Sequence, residues 1–541
     1  MTKQARARLS SKRPSAIVFL AVALTFACWA PRAEYDIVFL GGSVFDGSGA
    51  AAVLADVGVR DGLIAAVGDL GEASALESID ATGLTIAPGF IDAHSHAELD
   101  EDYGRDARAF LAQGITTVAL GLDGDGRWDV ARQLDAWASD GIGVNGLLFV
   151  GHNAIRREVM NMDDRAPTSE ELARMKAMVR SAMEEGAFGL STGLFYTPGN
   201  YATTEEVIEL AKVAAEWERA IYDTHDRDLG ATYQGIGYDA SIAEGIRIGE
   251  ESGLRVTFSH FNPQGATNYG RAEVGARMIE DARARGVEVW AAQHPYTATQ
   301  SNLRAYALPR WATAGGQDAI MRRFAHPDTL AILRVQMLES LAMRGGPEKI
   351  MIVDEDPRLN GRTVAALAAE WGMTVPDALQ TVFTDSGNAT VMNLDLYDIE
   401  NTRYLAGMPW MMTCTDGRTP AEGQVTVHPR VYGAFARKMR LFALDENVIS
   451  VPFAIRSFTG LAADFFGLSD RGYIRPGMRA DLAILDLDTY RDMATMEAPH
   501  QYAEGAVHVL VNGAFAIRDR AFLGTMAGEP IRASWEYSGD R

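Results

Sequence analysis

The chain has 541 residues and a formal net charge of -22 at pH 7. This acidic balance argues against a nucleic-acid partner, because phosphate binding needs a basic surface. The length allows one large domain and one smaller domain, and the even spread of acidic residues along the chain is typical of a solvated surface.

Residues 1–33 differ in composition from the rest of the chain. Basic residues without an acidic one precede the apolar run 16–27, which is the arrangement of an export signal. Cleavage near Ala30 or Ala33 would give a periplasmic protein. The sequence before Cys28 also loosely resembles a bacterial lipoprotein signal, which would attach a lipid there, and an uncleaved anchor is the third alternative. We therefore expect an exported, periplasmic protein that contacts a membrane only through this segment.

Between residues 35 and 86, short strand-like runs alternate with turns of Gly and Asp, which predicts a small all-β unit. After Pro88 the pattern becomes strand, loop and helix in repetition. One helix start carries the capping-box pattern Thr203-x-x-Glu206. After residue 471 the pattern returns to strands punctuated by glycine. The alternating region contains predicted strands at residues 90–94, 116–122, 144–150, 188–191, 220–224, 255–259, 287–292 and 411–415.

Strands that alternate with helices in this number predict an α/β fold with a parallel (β/α)8 barrel, at residues 88–471. The two chain ends, residues 34–87 and 472–535, would form one β unit beside the barrel. The gap between the last two predicted strands contains helical stretches and another strand-like piece. We therefore expect an inserted lid or subdomain at about residues 298–349.

Residues 88–96 read Pro-Gly-Phe-Ile-Asp-Ala-His-Ser-His. The apolar run after Pro-Gly predicts a buried strand, and side chains two apart on a strand share a face, so His94 and His96 point the same way. Surface or core histidines are the alternative interpretation. Two histidines on one face of an otherwise apolar strand favour a metal site, because polar groups are costly to bury without a partner.

Barrel enzymes place their chemistry where the strands end, at the C-terminal face. Any one strand-end residue could be a hydrogen-bonded core histidine or an ordinary turn residue. A whole set of ionisable groups in one place costs stability unless a cation balances the charge. Imidazole and carboxylate ligands suit zinc, or else iron, manganese or cobalt, in a catalytic site with an open position. Besides His94 and His96, the predicted strand ends carry Asp123, His152, His225, His260 and Asp416.

On these residues the chain resembles the amidohydrolase superfamily and, within it, the D-aminoacylase (N-acyl-D-amino-acid deacylase) family. The likeness runs from about residue 35 to the C-terminus, and several unrelated loops agree with the narrower family. The superfamily pattern is the stretch 88–96 followed by His225, His260 and Asp416. The family motifs are Gly114-Ile115-Thr116-Thr117, Gly151-His152-Asn153-x-x-Arg156, Gly189-Leu190-Ser191-Thr192-Gly193-Leu194, Thr224-His225-x-Arg227, Ser259-His260, His428-Pro429-Arg430 and Asp470-Arg471-Gly472.

The resemblance implies a distorted (β/α)8 barrel with a small β-sandwich formed by both chain ends, and metal-activated water that attacks an amide carbonyl. It implies one or two Zn²⁺ ions or other divalent transition metals. His225 and His260 would hold the tighter ion, and His94, His96 and Asp416 a second one. Asp416 would also be the general base, since a carboxylate near a cation stays ionised at neutral pH yet accepts a proton transiently.

Two further residues are expected to contact the substrate. By motif match, Arg430 would clamp a substrate carboxylate with its planar guanidinium, and a surface salt bridge is the alternative. His152 would hydrogen-bond either the substrate or only a backbone carbonyl. The expected partner is a small-molecule amide, most directly an N-acyl-D-amino acid.

The chain departs from the family where members hold the metal and the substrate. Asp123 stands at the position of a family cysteine, and we expect it to be a ligand because a carboxylate can also bridge two metals. Asn262 replaces a family lysine, and the stretch that contains His294 and Tyr296 differs from the family's Asp-x-Tyr-Pro-Tyr. We expect these three residues to contact the substrate. The changes leave a peptidase, cyclic amidase or lactonase as a second hypothesis and a non-catalytic binding protein as a third.

Overall fold

The computed structural model describes residues 33–230, 235–421 and 423–539. The predicted export signal, including Cys28, lies outside these residues except for its last position. Among the described residues, no helix is both long enough and apolar enough to cross a membrane.

The described chain begins with short strands separated by tight turns. Apolar and polar residues alternate along several of them, as in a sheet with one buried face. The strands are β1 (Tyr35–Val44), β2 (Val53–Arg60), β3 (Leu63–Gly68), β4 (Ala75–Asp80) and β5 (Thr85–Pro88).

Strand and helix then alternate, as the sequence predicts. Fully buried residues make up most of these strands, as in parallel sheets that are covered on both faces. The elements are β6 (Phe90–Asp92), α1 (Arg108–Leu111), β7 (Ile115–Leu120), α2 (Val130–Asp140), β8 (Asn145–Leu148), β9 (Val150–Gly151), α3 (His152–Met160), α4 (Ser169–Glu184), β10 (Gly189–Gly193), α5 (Thr204–Ala214), β11 (Ile221–His225), α6 (Gly237–Ser252), β12 (Arg255–Phe258), α7 (Ala272–Ala284) and β13 (Val289–Gln293).

The next elements form a separate small sheet with helices and a hydrophobic cluster of their own. We call residues 299–393 the inserted unit. It begins where the sequence predicts an insertion and continues well beyond residue 349. Its elements are β14 (Thr299–Asn302), α8 (Leu303–Ala307), α9 (Arg310–Thr313), α10 (Gly316–Ala325), α11 (Pro327–Met343), β15 (Ile350–Val353), α12 (Val364–Trp371), α13 (Val375–Ser386) and β16 (Thr390–Asn393).

The chain then returns to the parallel strands and ends in the terminal sheet. Between these two parts the helix α15 runs directly into a π-helix at Lys438–Asp445. The elements are α14 (Ile399–Ala406), β17 (Met411–Thr413), α15 (Arg430–Arg437), α16 (Val451–Phe458), α17 (Gly460–Phe466), β18 (Leu482–Leu485), β19 (Ala506–Val511), β20 (Ala514–Arg518), β21 (Ala521–Phe522) and β22 (Pro530–Ile531).

The predicted parallel strands all occur, and they form two sheets. One has the order β17-β13-β12-β11-β10-β9, and the other has the order β22-β8-β7-β6. The residues after β6 and β17 are also joined, since the Ala93 N–H donates to the Thr413 carbonyl at 3.3 Å and the Asp416 N–H to the His94 carbonyl at 2.9 Å. The α/β class is therefore confirmed, and the closed barrel stays a prediction.

Both chain ends contribute to one nine-stranded sheet, in the order β21-β20-β19-β18-β5-β1-β2-β3 with β4 paired to β1. The two ends meet where β5 and β18 pair antiparallel, with Ile86 opposite Ile484. The last strand, β22, leaves this sheet and pairs with β8. The joining of the two ends agrees with the predicted β unit, and its folding into a sandwich stays a prediction.

Candidate active site

Polar side chains from the ends of four parallel strands meet in one place. His94 follows β6, Asp123 follows β7, His260 follows β12 and Asp416 follows β17. All four residues are buried. One nitrogen or oxygen atom from each residue can bind a metal, and these four atoms lie within 4.8 Å of one another. The carboxyl ends of parallel strands converge at one edge of a sheet, which explains why residues so distant in sequence meet here.

The two carboxylates lie among the histidines. The Nε2 atom of His94 is 3.5 Å from Asp123 Oδ1 and 3.9 Å from Asp416 Oδ1. His96 approaches both as well, with its Nε2 atom 3.4 Å from Asp123 Oδ2 and 3.4 Å from Asp416 Oδ1. His260 Nε2 lies 3.8 Å from Asp123 Oδ1. The predicted convergence of these five residues is therefore present in the structure.

His225, the last residue of β11, stands next to this cluster. Its ring centroid is 4.5 Å from that of His260. Its Nδ1 atom is 3.1 Å from the carbonyl oxygen of Asp226, which fixes the proton on Nδ1 and leaves the Nε2 lone pair free. Burial, together with the charge of His260, lowers the pKa of His225 to about 3. A neutral imidazole with one oriented lone pair is the form that binds a metal.

Three residues of the cluster have left-handed backbone conformations. The φ angle is 56° at Asp123, 29° at His260 and 47° at Asp416. Such conformations cost about 1–3 kcal/mol each in residues other than glycine and gather at functional sites. The surrounding strands therefore hold these side chains in place against a local backbone preference.

The unpartnered atoms of the cluster fit a metal ion. Within the described chain, both ring nitrogens of His94, the Oδ1 atom of Asp123 and the Nδ1 atom of His260 are buried without a hydrogen-bond partner. Leaving that many polar atoms unpaired in the interior is costly. Imidazole nitrogens and carboxylate oxygens are a donor set for zinc and similar divalent metals. The residues present therefore suit the metal that the sequence predicts.

Both carboxylates remain ionised. Burial alone would raise the pKa of Asp123, but His94 and His260 lower it well below its ordinary value. In the same way Arg430 and His260 outweigh burial at Asp416 and lower its pKa below the usual range of a carboxyl group. An ionised carboxylate can bind a cation or accept a proton, as the predicted roles require.

Arg430 lies inside the site and is not a surface residue. Its Nη1 atom donates to Asp416 Oδ2 at 2.5 Å and lies 3.3 Å from His294 Nε2. Burial and the charge of Arg430 lower the pKa of His294 well below its ordinary value, so this imidazole is neutral. Asn262 is also buried, donating to Thr402 Oγ1 at 2.8 Å while its own carbonyl oxygen has no partner among the described residues.

Tyr296 does not join the cluster. Strand β13 ends at Gln293, so the two-residue alternation that would put His294 and Tyr296 on one face no longer applies. The Tyr296 hydroxyl packs closely against Gly433 of helix α15. It lies 2.9 Å from the position that a Cβ atom would take at that glycine. The guanidinium of Arg437 lies 5.0 Å from its ring. This placement does not support the expected substrate contact.

His152 lies between two protein side chains. Its Nε2 atom lies 3.0 Å from Glu206 Oε1, and its Nδ1 atom lies 3.3 Å from Asn153 Oδ1. Both ring nitrogens are therefore engaged by protein side chains. The expected backbone carbonyl is therefore not the partner that the structure shows, and the expected substrate contact stays a prediction.

Two buried carboxylates behind the cluster were not predicted as site residues. Asp92 accepts hydrogen bonds from the backbone and side chain of Thr415, at 2.9 and 2.5 Å. Asp223 accepts from Ser191 at 2.6 Å and from Ser259 at 3.0 Å, and so ties three neighbouring strands together. Each lies two positions before a candidate histidine ligand. Strand alternation, which puts residues two apart on one face, was the signal that could have found them.

A cavity of about 750 Å³ opens from the cluster toward the inserted unit. His96, Asp123, Asp416 and Arg430 line its inner part, and residues of β14, α8 and α10 line its outer part. A cavity of this size holds a small molecule and has space for the group beside the reacting bond. The cluster is therefore accessible, as a catalytic site must be.

The family model described as "Amidohydrolase family" matches residues 77–517. D-aminoacylase of Alcaligenes xylosoxydans xylosoxydans is 34% identical, across 92% of this chain and 97% of that protein. N-acyl-D-aspartate deacylase of the same organism is 32% identical, across 89% of this chain and 92% of that protein. The crystal structure of N-acyl-D-glutamate deacylase from Bordetella bronchiseptica, complexed with zinc and a phosphonate inhibitor, has a TM-score of 0.78 and 29% identity, and the likeness covers 92% of this chain and 99% of that one. The chain therefore belongs to the amidohydrolase family.

Proposed function

We propose that the protein is a metal-dependent deacylase that hydrolyses the amide bond of N-acyl-D-amino acids. The observation that carries this proposal is the buried group of His94, Asp123, His260 and Asp416 at the mouth of a small-molecule cavity. Similar proteins that are named D-aminoacylase and N-acyl-D-aspartate deacylase support the choice of substrate.

The same proposal includes the architecture and the location of the protein. The two parallel sheets would close into a distorted (β/α)8 barrel, and the terminal sheet would fold as a β-sandwich. The inserted unit would act as a lid over the cavity. The basic and apolar composition of residues 1–33 supports export to the periplasm, with a lipid at Cys28 as one alternative.

The ligand set would comprise His225 and His260 at one position and His94, His96 and Asp416 at a second, with Asp123 between them. When bound, the metal supplies a Lewis acid that lowers the pKa of water and polarises an amide carbonyl. The burial of His94, Asp123, His260 and Asp416 strengthens the electrostatic interactions within the cluster.

Asp416 is the general base of the proposed reaction. Its carboxylate takes a proton from the attacking water as the new C–O bond forms, and returns the proton to the nitrogen as the C–N bond breaks. Arg430 holds Asp416 Oδ2 and keeps this carboxylate ionised before the reaction. The remaining donors of the same guanidinium suit the carboxylate of the substrate.

Metal removal and one substitution test the proposal. The zinc-loaded protein should hydrolyse N-acetyl-D-amino acids, and chelation should abolish the activity until zinc is restored. Asp416→Asn should lower kcat by about 10²–10⁴-fold, because proton transfer by a positioned group contributes about that much. Metal analysis must show that the variant still binds zinc, so that loss of the base is separated from loss of the metal.

Asp125→Asn is the matched control, since Asp125 is a carboxylate of the same cavity that pairs with Arg157 outside the cluster. It should retain most of the activity. Full activity of Asp416→Asn would show that the base has been wrongly assigned. The absence of turnover by the zinc-loaded protein across N-acyl-D-amino acids would contradict the proposed substrate class.

A second candidate keeps the chemistry and changes the substrate. Neutral His294 lies beside Arg430, and Asn262 follows His260 by two residues. The related family has tyrosine and lysine at these two positions, and this difference favours a D-aminoacylase-like peptidase, cyclic amidase or lactonase. Dipeptides and lactones belong in the same assay panel. Turnover of these compounds without turnover of N-acyl-D-amino acids would select this candidate.

A further inference from the structure

Helix α11 of the inserted unit turns an apolar face toward solvent. Ile332 is 54% exposed, Val335 is 57% exposed and Leu338 is 45% exposed. Together with the exposed Ala331 and Ala342 they recur at helical spacing, so they lie along one side of the helix. The opposite side packs into the inserted unit through its own buried residues, which are Leu333, Met337, Ser340 and Leu341.

This face differs from that of an ordinary surface helix. On helix α7, for comparison, the exposed Glu273 and Arg277 form an ion pair at 2.7 Å. The acidic residues on the outer side of α11 are Asp328, in its first turn, and Glu339, at one edge of the apolar face. Soluble proteins rarely leave a contiguous apolar patch in water, and such a patch marks a contact site. We therefore looked for a partner that fits the face.

The spacing of the apolar residues is that of a two-stranded coiled coil. Ala331, Val335, Leu338 and Ala342 follow one another at intervals of four, three and four residues, which are the a and d positions of a heptad repeat. A β-branched residue at a, here Val335, with Leu338 at d favours two parallel helices. The small alanines on either side allow the two helices to approach closely. With 17 residues, α11 is about 25 Å long and has room for this contact.

The charges at the two edges of the face also fit a parallel copy of the same helix. Arg334 lies at one edge, where it contacts Asp377 of α13, and Glu339 lies at the other edge. They occupy the g position of one heptad and the e position of the next, which face each other between parallel helices. The twofold symmetry of such a pair forms this contact twice. In an antiparallel pair each edge meets its own counterpart, so the two opposite charges stay apart.

We propose that α11 is the contact between two copies of this chain, which pack their α11 helices in parallel about a twofold axis. Trp311, whose Nε1 atom donates to Gln336 Oε1 at 2.9 Å, extends the contact surface beside the helix. Aromatic residues are enriched at such contacts. One pair of helices buries little surface compared with a permanent dimer, so we expect association in the micromolar range. The proposal does not depend on the deacylase function.

A second copy fits the face better than a lipid surface does. A helix that lies on a membrane carries several basic residues along its polar edges. The edges of α11 instead carry one basic and one acidic residue, Arg334 and Glu339, which complement each other across a twofold axis. The net charge of -22 also opposes approach to an anionic bilayer.

Sedimentation velocity of the purified protein, from low to high micromolar concentration, tests the association. The wild type should show an equilibrium between monomer and dimer. Val335→Glu/Leu338→Glu should raise the dissociation constant by about 30-fold or more, because residues at the centre of an interface contribute most of the binding energy. Val53→Glu/Leu54→Glu is the matched control, since it adds the same charges at a valine and a leucine of β2 that are 64% and 77% exposed. This control should associate like the wild type.

Disulfide formation tests the parallel arrangement. In parallel helices each a or d residue faces its own copy, so Leu338→Cys should give a disulfide-linked dimer on mild oxidation with diamide. Met343→Cys is the control, because Met343 is exposed on the same helix but outside the apolar row, and it should stay unlinked. Both variants contain the same native cysteines, of which Cys414 is buried.

A wild type that stays monomeric at high micromolar concentration would overturn the proposal, and so would unchanged association of a folded Val335→Glu/Leu338→Glu. Monomeric wild type that sediments with vesicles of phosphatidylethanolamine and phosphatidylglycerol, with loss of this binding in the same variant, would assign the face to a membrane and overturn it as well. Efficient linkage of Met343→Cys but not of Leu338→Cys would overturn the parallel arrangement. The deacylase assays are independent of all these outcomes.

Discussion

Lys438 is a fully buried lysine at the first turn of the π-helix. Its Nζ atom donates to Thr413 Oγ1 at 2.7 Å and to Ser457 Oγ at 3.2 Å, and in the described chain no carboxylate lies within 4.0 Å. Burial lowers its pKa from about 10.5 to about 7. Thr413 ends strand β17, three residues before Asp416, so this lysine supports the strand that carries the candidate base.

The stability of the protein should therefore depend on the charge of Lys438. Below pH 7 both the folded and the unfolded chain carry its proton, and folding buries a charge. Between pH 7 and about 10.5 only the unfolded chain stays protonated, so unfolding takes up a proton and the folded state gains stability as the pH rises. In Lys438→Met this dependence is lost. The difference in Tm, variant minus wild type, should therefore decrease by a few degrees from pH 6 to pH 9 in thermal unfolding.

The control is Lys212→Met, at an exposed lysine paired with Glu209, and its difference in Tm from the wild type should stay constant over the same pH range. A constant difference for Lys438→Met as well would contradict the prediction.

At the scale of elements, a buried ion pair joins helices α3 and α5. Arg156 Nη1 lies 2.6 Å from both carboxylate oxygens of Glu206, and His152 adds a contact to the same carboxylate. The neighbouring Asn153 bonds to the backbone of Gly193 at the end of β10, and it packs against the loop after Asp123. The ion pair thus anchors the helix start that supports the Asp123 loop.

Arg156→Met should lower the free energy of unfolding by about 3–5 kcal/mol, because it removes the guanidinium that contacts both oxygens of the buried Glu206 carboxylate and leaves only His152 beside it. Urea unfolding measures this change. The double variant Arg156→Met/Glu206→Gln should recover part of the loss, since it removes the unpaired charge as well. Arg180→Met breaks a partly exposed pair with Glu216, and as a control it should cost only about 0–1 kcal/mol. Equal losses of unfolding free energy in Arg156→Met and Arg180→Met would show that the buried pair stabilises the protein no more than the partly exposed pair does.

The elements that the sequence predicts best are those with local signals. Each parallel strand is an apolar run bounded by turn residues, and its end places a ligand-type side chain at the common edge, as for His225 and Asp416. The Thr203 cap is also confirmed, because the Glu206 N–H donates to its hydroxyl at 3.2 Å. The carboxylate of Glu206, however, binds Arg156 and not the helix start. The partner of the Glu206 carboxylate is set by a side chain that is distant in sequence, and a local sequence pattern does not identify such a partner.

The same limit applies to the substrate side of the site. Tyr296 lies beyond the end of β13, where strand periodicity no longer orients side chains. Lys438 gave no signal in the sequence, because a charge becomes informative only when its neighbours in space are known. The inserted unit was recognised from its excess length, but its extent to Asn393 depends on the pairing of β16 with β14 and β15.

For the whole molecule, the cluster joins parts of the chain that are far apart in sequence. His94 and Asp123 follow strands of one parallel sheet, whereas His260 and Asp416 follow strands of the other. A metal bound to all four would therefore connect the two sheets in the folded state only, since the unfolded chain does not bring these residues together. Binding to the folded state alone stabilises it by mass action.

Zinc should consequently raise the Tm of metal-free protein. At a free zinc concentration of 100 times Kd, the expected stabilisation is about 2.7 kcal/mol. Thermal unfolding of chelator-treated protein, with and without added zinc, measures the shift. Asp123→Asn/Asp416→Asn is the control, because it keeps the shape of the cluster and removes both carboxylate charges, and its Tm should respond much less. An equal shift in this variant would place the stabilising ion elsewhere in the molecule, and no shift in the wild type would mean that the two sheets are held together without it.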